Sequence, residues 1–272
     1  MREITIPHSN EKIPILGMGT YGIFPGQSKQ THEQWKEVLR TGIELGITHI
    51  DTAELYGDGH SEKIVGDVIK EYPREDLFIT TKMLPSRTSE SQMKKAINNS
   101  LNRLGVKYVD LYLIHWLESH SSIPTIMAFF EHLIDSEKTR YIGVSNFSVS
   151  EVKEAQASLK KYNLLTNQVK INIRTQQELK EKDFYDTEKI LLTAYTPLAK
   201  ANLSGLPRKL KTKIEQLAKK YNCTSLQIAL AWVINQENVI AIPRTSSPKH
   251  LQENATTAQI VLTEQEIESL NT

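Results

Sequence analysis

One alternation of pattern constrains this chain more than anything else in it. Eight short apolar runs recur, at residues 15–18, 47–50, 77–81, 109–114, 141–144, 164–169, 190–194 and 239–242. Between them lie longer segments of helical period, such as 30–45, 62–71, 90–104, 123–136 and 151–162. A long stretch, 208–236, reads as two helices broken near Asn222, with Ile214, Leu217, Ala218 and Tyr221 recurring at helical spacing. Ser150-Glu151-Val152-Lys153 and Thr263-Glu264-Gln265-Glu266 resemble helix starts, the second with the residues of a capping box. Residues 172–187 carry many charges and little periodicity, and support no assignment. Ahead of the first run, residues 3–6 alternate, His8-Ser9-Asn10-Glu11 reads as a turn, and 12–15 return, which predicts a hairpin.

Strands alternating with helices imply βα units and a parallel sheet. Eight such units in about 250 residues predict a (β/α)8 TIM barrel, with a doubly wound open sheet as the alternative. The length of 272 residues admits one barrel or two smaller domains. No Gly-, Ser- or Pro-rich linker divides the chain, so a single barrel domain over 1–272 is expected, preceded by the hairpin.

Composition excludes several classes. Lys plus Arg number 33 and Asp plus Glu 32, a net charge of +1, which does not suit a strongly basic nucleic-acid binder. The single cysteine, Cys223, excludes an intrachain disulfide and any multi-cysteine metal site, and no metal is expected. The longest apolar run, 228–234, falls far short of the roughly 20 residues of a membrane helix. Residues 1–12 are polar and do not form a secretory signal. The expectation is a cytoplasmic protein, a monomer or weak homo-oligomer, without nucleic-acid or membrane partners.

A barrel places its active residues where strands end at the C-terminal rim. The residues that close the eight runs are Gly19-Thr20-Tyr21, Asp51, Lys82, His115, Ser145-Asn146, Gln168, Tyr195 and Arg244. Any one of these could be a solvated charge or a packing residue. Eight in register supply acids, bases and hydrogen-bond donors to one mouth. Gly17-Met18-Gly19-Thr20-Tyr21-Gly22 matches the dinucleotide-binding spacing G-x-G-x-x-G, but Phe24-Pro25-Gly26 delays the helix that motif requires. The glycines are better read as letting the backbone pass close to a ligand.

At this point the motifs resemble the aldo-keto reductase family. Asp51-Thr52-Ala53-Glu54-Leu55-Tyr56-Gly57, with Ser61-Glu62 and Gly66 after it, is similar to that family's D-T-A-x-x-Y-G signature. Thr80-Thr81-Lys82, Asp110-Leu111-Tyr112-Leu113-Ile114-His115-Trp116, Gly143-Val144-Ser145-Asn146-Phe147, Asn167-Gln168-Val169, Tyr195-Thr196-Pro197-Leu198 and Ile242-Pro243-Arg244-Thr245 resemble its later strand motifs, in order.

The resemblance implies a nicotinamide-dependent barrel that reduces aldehydes and ketones to alcohols. NADP(H) would be preferred and NAD(H) an alternative. Asp51, Tyr56, Lys82 and His115 would be catalytic, with Tyr56 as general acid. An ammonium about 4 Å from a phenol contributes on the order of 4 kcal/mol at an effective dielectric near 20. That is roughly three pKa units below the ordinary phenol value of about 10, an upper bound because Asp51 cancels part of the field. His115 would direct the carbonyl oxygen. Ser145, Asn146 and Gln168 would hold the nicotinamide carboxamide and Tyr195 would stack on the ring, with Gly19, Thr20, Asp51 and Leu198 beside them. Arg244, Thr245, Ser246 and His250 would meet the 2′-phosphate, and Glu253 and Asn254 the adenine.

Departures qualify the likeness. Many members carry Lys where this chain has Arg244, and Arg where it has His250. Leu117 stands where a Pro is frequent, and Glu137 where a Gly is common. Few residues follow the helix at 263–270, so a short C-terminal loop and an open pocket are expected. Tyr21, Phe24 and Trp116 are candidate apolar walls. Two other readings stay open: a cofactor-sensing regulatory subunit, and a Schiff-base aldolase using Lys82.

Overall fold

In a strand, alternate side chains face opposite sides, so the inside of a closed sheet is filled by every second residue. The computed structural model describes residues 1–271. The hairpin comes first, β1 (Glu3–Thr5) and β2 (Lys12–Pro14), antiparallel with Ile4 opposite Ile13. The eight barrel strands are β3 (Gly17–Gly19), β4 (His49–Asp51), β5 (Phe78–Met83), β6 (Val109–Ile114), β7 (Thr139–Ser145), β8 (Leu164–Lys170), β9 (Leu191–Tyr195) and β10 (Val239–Ile242). They pair in parallel in chain order. The ends of the sheet meet: Leu16 bridges Ala241, Ala241 N–H donates to the Ile15 carbonyl at 2.9 Å, and Gly19 N–H to the Pro243 carbonyl at 3.1 Å. That closure selects the barrel over the open sheet.

The helices are α1 (Lys29–Glu44), α2 (His60–Ile69), α3 (Glu90–Leu104), α4 (Ile123–Asp135), α5 (Val149–Ser158), α6 (Lys182–Glu188), α7 (Arg208–Lys220), α8 (Ser225–Ile234), α9 (Pro248–Thr257) and α10 (Glu264–Leu270). The break near Asn222 falls as expected, between α7 and α8, with Asn222 at φ 49°. Thr263 caps α10 in a full capping box with Glu266. The other cap differs from expectation. Ser148, not Ser150, opens α5, because its hydroxyl accepts from Glu151 N–H while the Glu151 carboxylate accepts from Ser148 N–H at 2.7 Å. The unassigned stretch holds a 3-10 turn, Gln177–Glu181, and α6.

The hairpin plugs the N-terminal end of the barrel. Ile6 and Ile13 pack with Phe78, Leu111, Leu113, Leu165, Leu191 and Ile240 in an interior apolar cluster. A larger cluster lies between strands and helices. Buried carboxylates tie the layers together. Glu62 accepts from Thr81 Oγ1 at 2.6 Å and from Arg103 Nε at 2.6 Å, joining α2, β5 and α3. Asp110 is paired with Arg74 and Arg140 and accepts from Ile79 N–H at 2.8 Å. These two motif carboxylates are structural. α10 packs against α7, and the Leu270 carbonyl accepts from Gln176, so the C-terminal segment lies along the wall.

Candidate active site

The strand alternation that buries Phe78 inside the floor brings Thr80 and then Lys82 up the same face of β5. On β4 the matching residues are His49 and Asp51. His49 Nε2 and Thr80 Oγ1 are 3.0 Å apart and fully buried. One layer above, Lys82 Nζ donates to Asp51 Oδ1 at 2.5 Å, to the Thr52 carbonyl at 2.9 Å and to Tyr56 Oη at 3.4 Å. The second Asp51 oxygen accepts from Gln168 Nε2 at 2.8 Å. Gln168 thus stands inside β8, facing Ser145 of β7, rather than at its last residue. The Tyr56 ring meets His115 edge-on at 5.6 Å between centroids and Tyr21 at 5.3 Å.

Charge is fixed by these contacts. Burial alone would depress the Lys82 ammonium, but the Asp51 carboxylate and Tyr56 together outweigh it and hold the amine above its ordinary value. Lys82 is fully buried and does not line the cavity, so it lacks both the free lone pair and the access a Schiff base needs. Burial, and then Lys82, push His115 down to about 3, so its imidazole is neutral. Tyr56 departs from the sequence expectation. Burial raises its phenol, and the opposing pull of Lys82 does not overcome that. A phenolate in a dry site carries a desolvation cost that the attraction of Lys82 does not repay.

A cavity of about 900 Å³ opens over these residues. Its lining includes Asp51, Tyr56, His115, Ser145, Asn146, Gln168 and Tyr195 at one end, and Arg244, Thr245, Ser246, His250, Glu253 and Asn254 at the other. Gly19, Thr20, Leu198, Tyr21 and Trp116 line it too. Tyr195 Oη donates to Asn146 Oδ1 at 2.8 Å, and Asn146 Nδ2 donates to the His115 carbonyl at 3.0 Å. The Thr20 hydroxyl is turned inward to the Asp51 carbonyl at 3.0 Å. Arg244 lies over the Trp35 ring at 5.4 Å and, among the described residues, makes no ion pair. The buried Nδ2 of Asn254 has no protein partner.

Phe24 is not part of the cavity lining. It is 40% exposed, edge-on to Tyr21, because Gln27 accepts from its N–H at 3.0 Å and donates to the Gly22 carbonyl at 3.0 Å. Leu55 lines the mouth instead. The glycines of the G-x-G-x-x-G stretch also answer to their own chain. A Cβ on Gly17 would sit 2.7 Å from His49 Nδ1, and one on Gly22, at φ +108°, 2.4 Å from an Arg244 nitrogen. Finally, Lys200, Thr224 and Gln227 join the lining although no motif marked them. Thr224 and Gln227 form the capping box of α8, the one local signal that could have placed that helix start at the cavity.

Residues 15–272 match the sequence profile of the Aldo/keto reductase family. This chain belongs to that family. Methylglyoxal reductase YeaE of Escherichia coli is 33% identical over 262 residues, 95% of this chain and 90% of that protein. Glycerol 2-dehydrogenase (NADP(+)) of Saccharomyces cerevisiae is 31% identical, covering 91% of this chain and 83% of its own. Among solved structures, the thermostable aldo-keto reductase Tm1743, in complex with the inhibitor epalrestat, superposes with a TM-score of 0.93 at 36% identity, covering 100% of this chain and 99% of that one. An aldo-keto reductase of Klebsiella pneumoniae in complex with NADPH gives a TM-score of 0.88 at 31% identity, over 99% and 94%. The eight-stranded barrel of this chain is thus shared with these solved structures.

Proposed function

We propose that this chain is an NADP(H)-dependent carbonyl reductase in which Tyr56 protonates the substrate oxygen. The observation that carries the reading is the Tyr56 hydroxyl, 3.4 Å from the buried Lys82 ammonium and open to a cavity that runs on to Arg244. The named activities of the relatives and the NADPH complex of the Klebsiella protein support it.

The cavity fits the cofactor chemically. Arg244, Thr245 and Ser246 offer a fixed charge and hydroxyls to a 2′-phosphate, with His250 beside them. The unpartnered Asn254 Nδ2 is a donor for the adenine, with Glu253 alongside. Gln168 gives its N–H to Asp51, so its carbonyl oxygen is the atom left for a carboxamide N–H, next to Ser145 and Asn146. Tyr195 presents a ring for stacking. When bound, reduced nicotinamide supplies the hydride.

The protein supplies the proton. Burial keeps Tyr56 protonated at pH 7, the state a general acid needs. As charge develops on the substrate oxygen, Tyr56 donates its proton there, and Lys82 stabilises the phenolate left behind. Asp51 keeps Lys82 charged and oriented. Neutral His115 has one N–H to aim at the same oxygen. The product is an alcohol, and Tyr56 regains its proton from water. Tyr21, Trp116 and Leu55 give the open mouth apolar walls suited to small aliphatic or aromatic aldehydes.

Tyr56→Phe removes the proton and little else. Turnover should fall by about 10²–10⁴-fold, while the NADPH dissociation constant, read by fluorescence titration, stays close to wild type. An unchanged rate would remove Tyr56 from the role.

A further inference from the structure

We propose that His32, His60 and the Phe24 carbonyl form a binding site for a late first-row divalent cation, Zn2+, Ni2+ or Cu2+, outside the reductase cavity. His32 sits in the first turn of α1 and His60 is the first residue of α2. The two are 28 residues apart, so no motif announced them. Their Nε2 atoms are 3.2 Å apart while the ring centroids are 4.7 Å apart, so the rings lean together by their Nε2 edges. His32 Nε2 is also 3.2 Å from the Phe24 carbonyl oxygen.

Proton counting shows what is unusual here. A neutral imidazole has one N–H and one lone pair. If His32 donates to the Phe24 oxygen, it cannot also accept from His60. Both short distances are then served by one hydrogen, with lone pairs of His60 and Phe24 turned toward it. A divalent cation in that place satisfies all three atoms. In a tetrahedral zinc site with bonds of about 2.0–2.1 Å, ligand atoms stand about 3.3 Å apart. Each observed separation matches one edge of that tetrahedron. Water can complete the shell, since both imidazoles are only half-buried.

Asp67 pairs with Lys36 at 2.8 Å, an ion pair that joins α1 to α2, the two helices that carry the rings. Imidazole selects zinc, nickel and copper over magnesium and calcium, which prefer oxygen. Among the described residues, no group of three or more His, Cys, Asp or Glu suited to a metal occurs. The third protein ligand is therefore the main-chain oxygen. That oxygen belongs to the loop that carries Tyr21 against Tyr56, so a bound cation would pin the loop over the mouth.

The full chain, stripped with chelator, should be titrated calorimetrically with ZnCl2 and separately with MgCl2. We expect one saturable zinc equivalent in the micromolar range and none for magnesium. His32→Gln and His60→Gln should each weaken it by at least about tenfold, since losing a ligand costs no less than losing an outer partner. A wild-type chain without the zinc step, variants that keep it, or equal binding of magnesium would overturn the site. X-ray absorption of the zinc-loaded wild type reads the same point without a variant. Two imidazole nitrogens at about 2.0 Å are expected, and a shell of oxygen alone contradicts the proposal.

Discussion

At the floor of the barrel, Ile6 and Ile13 meet Phe78, Leu111, Leu191 and Ile240 in an apolar cluster. Toward the rim, Asp51, Lys82, Ser145 and Gln168 are as deeply buried, and none is apolar. The floor gains about 0.8 kcal/mol for each CH₂ taken from water. The mouth must satisfy charges that cost several kcal/mol each to dehydrate. It does so by pairing them: Lys82 with Asp51, Asp51 with Gln168, Ser145 with the Gln168 carbonyl at 2.8 Å. Buried ion pairs replaced by well-packed apolar groups are often neutral or stabilising. Stability therefore does not explain the mouth, and chemistry does.

The comparison breaks first at Lys82. Lys82→Met leaves the Asp51 carboxylate buried without its cation, which should cost about 3–5 kcal/mol of stability and most of the turnover. Leu111→Ala at the floor should cost about 2–5 kcal/mol and leave kcat unchanged. Urea unfolding and steady-state rates on both variants test this, and a floor variant with impaired kcat would erase the distinction.

A smaller effect concerns pH. Burial holds His49 down to about 4, and burial with Lys82 holds His115 down to about 3, against an unfolded value near 6.5. Between those values the unfolded chain binds protons that the folded chain does not, so stability falls as pH falls. From pH 6.5 to 4 the loss should be on the order of 2–3 kcal/mol per histidine. Unfolding curves across that range read it, and a flat profile would mean that one or both rings are solvated. Because His115 stays neutral above its depressed value, kcat should show no inflection near pH 6.5.

At the far end of the cavity, Arg244→Ala should weaken NADPH by about 1.5–3 kcal/mol, roughly ten- to hundredfold, and leave NADH nearly unaffected. Equal losses for both cofactors would remove Arg244 from the 2′-phosphate.

How much of this was legible in the sequence follows from the same contrast. Apolar runs and the polar residue ending each one are local patterns, so the barrel, its hairpin and the positions of Asp51, Lys82 and His115 at one mouth could be read directly, whereas Tyr56 ends no run and came only with the family resemblance. Phe24 could not be placed, because its direction is set by Gln27 and the loop rather than by periodicity. α6 was hidden because Tyr185 is its one buried side chain, which leaves no helical stripe. Lys200 reaches the cavity through three consecutive left-handed residues, Ala199 to Ala201, a conformation that non-glycine sequence does not advertise. The proton affinity of Tyr56 depends on burial, which spacing does not report.

The central claim is that this mouth performs NADPH-dependent carbonyl reduction. It is tested most directly by following reduced-nicotinamide absorbance with the wild-type chain, NADPH and a small aldehyde such as methylglyoxal. Saturable, aldehyde-dependent consumption of NADPH is expected, with one alcohol formed per cofactor oxidised. Tight NADPH binding with no consumption across aldehydes and ketones would contradict it and leave a cofactor-sensing barrel in its place.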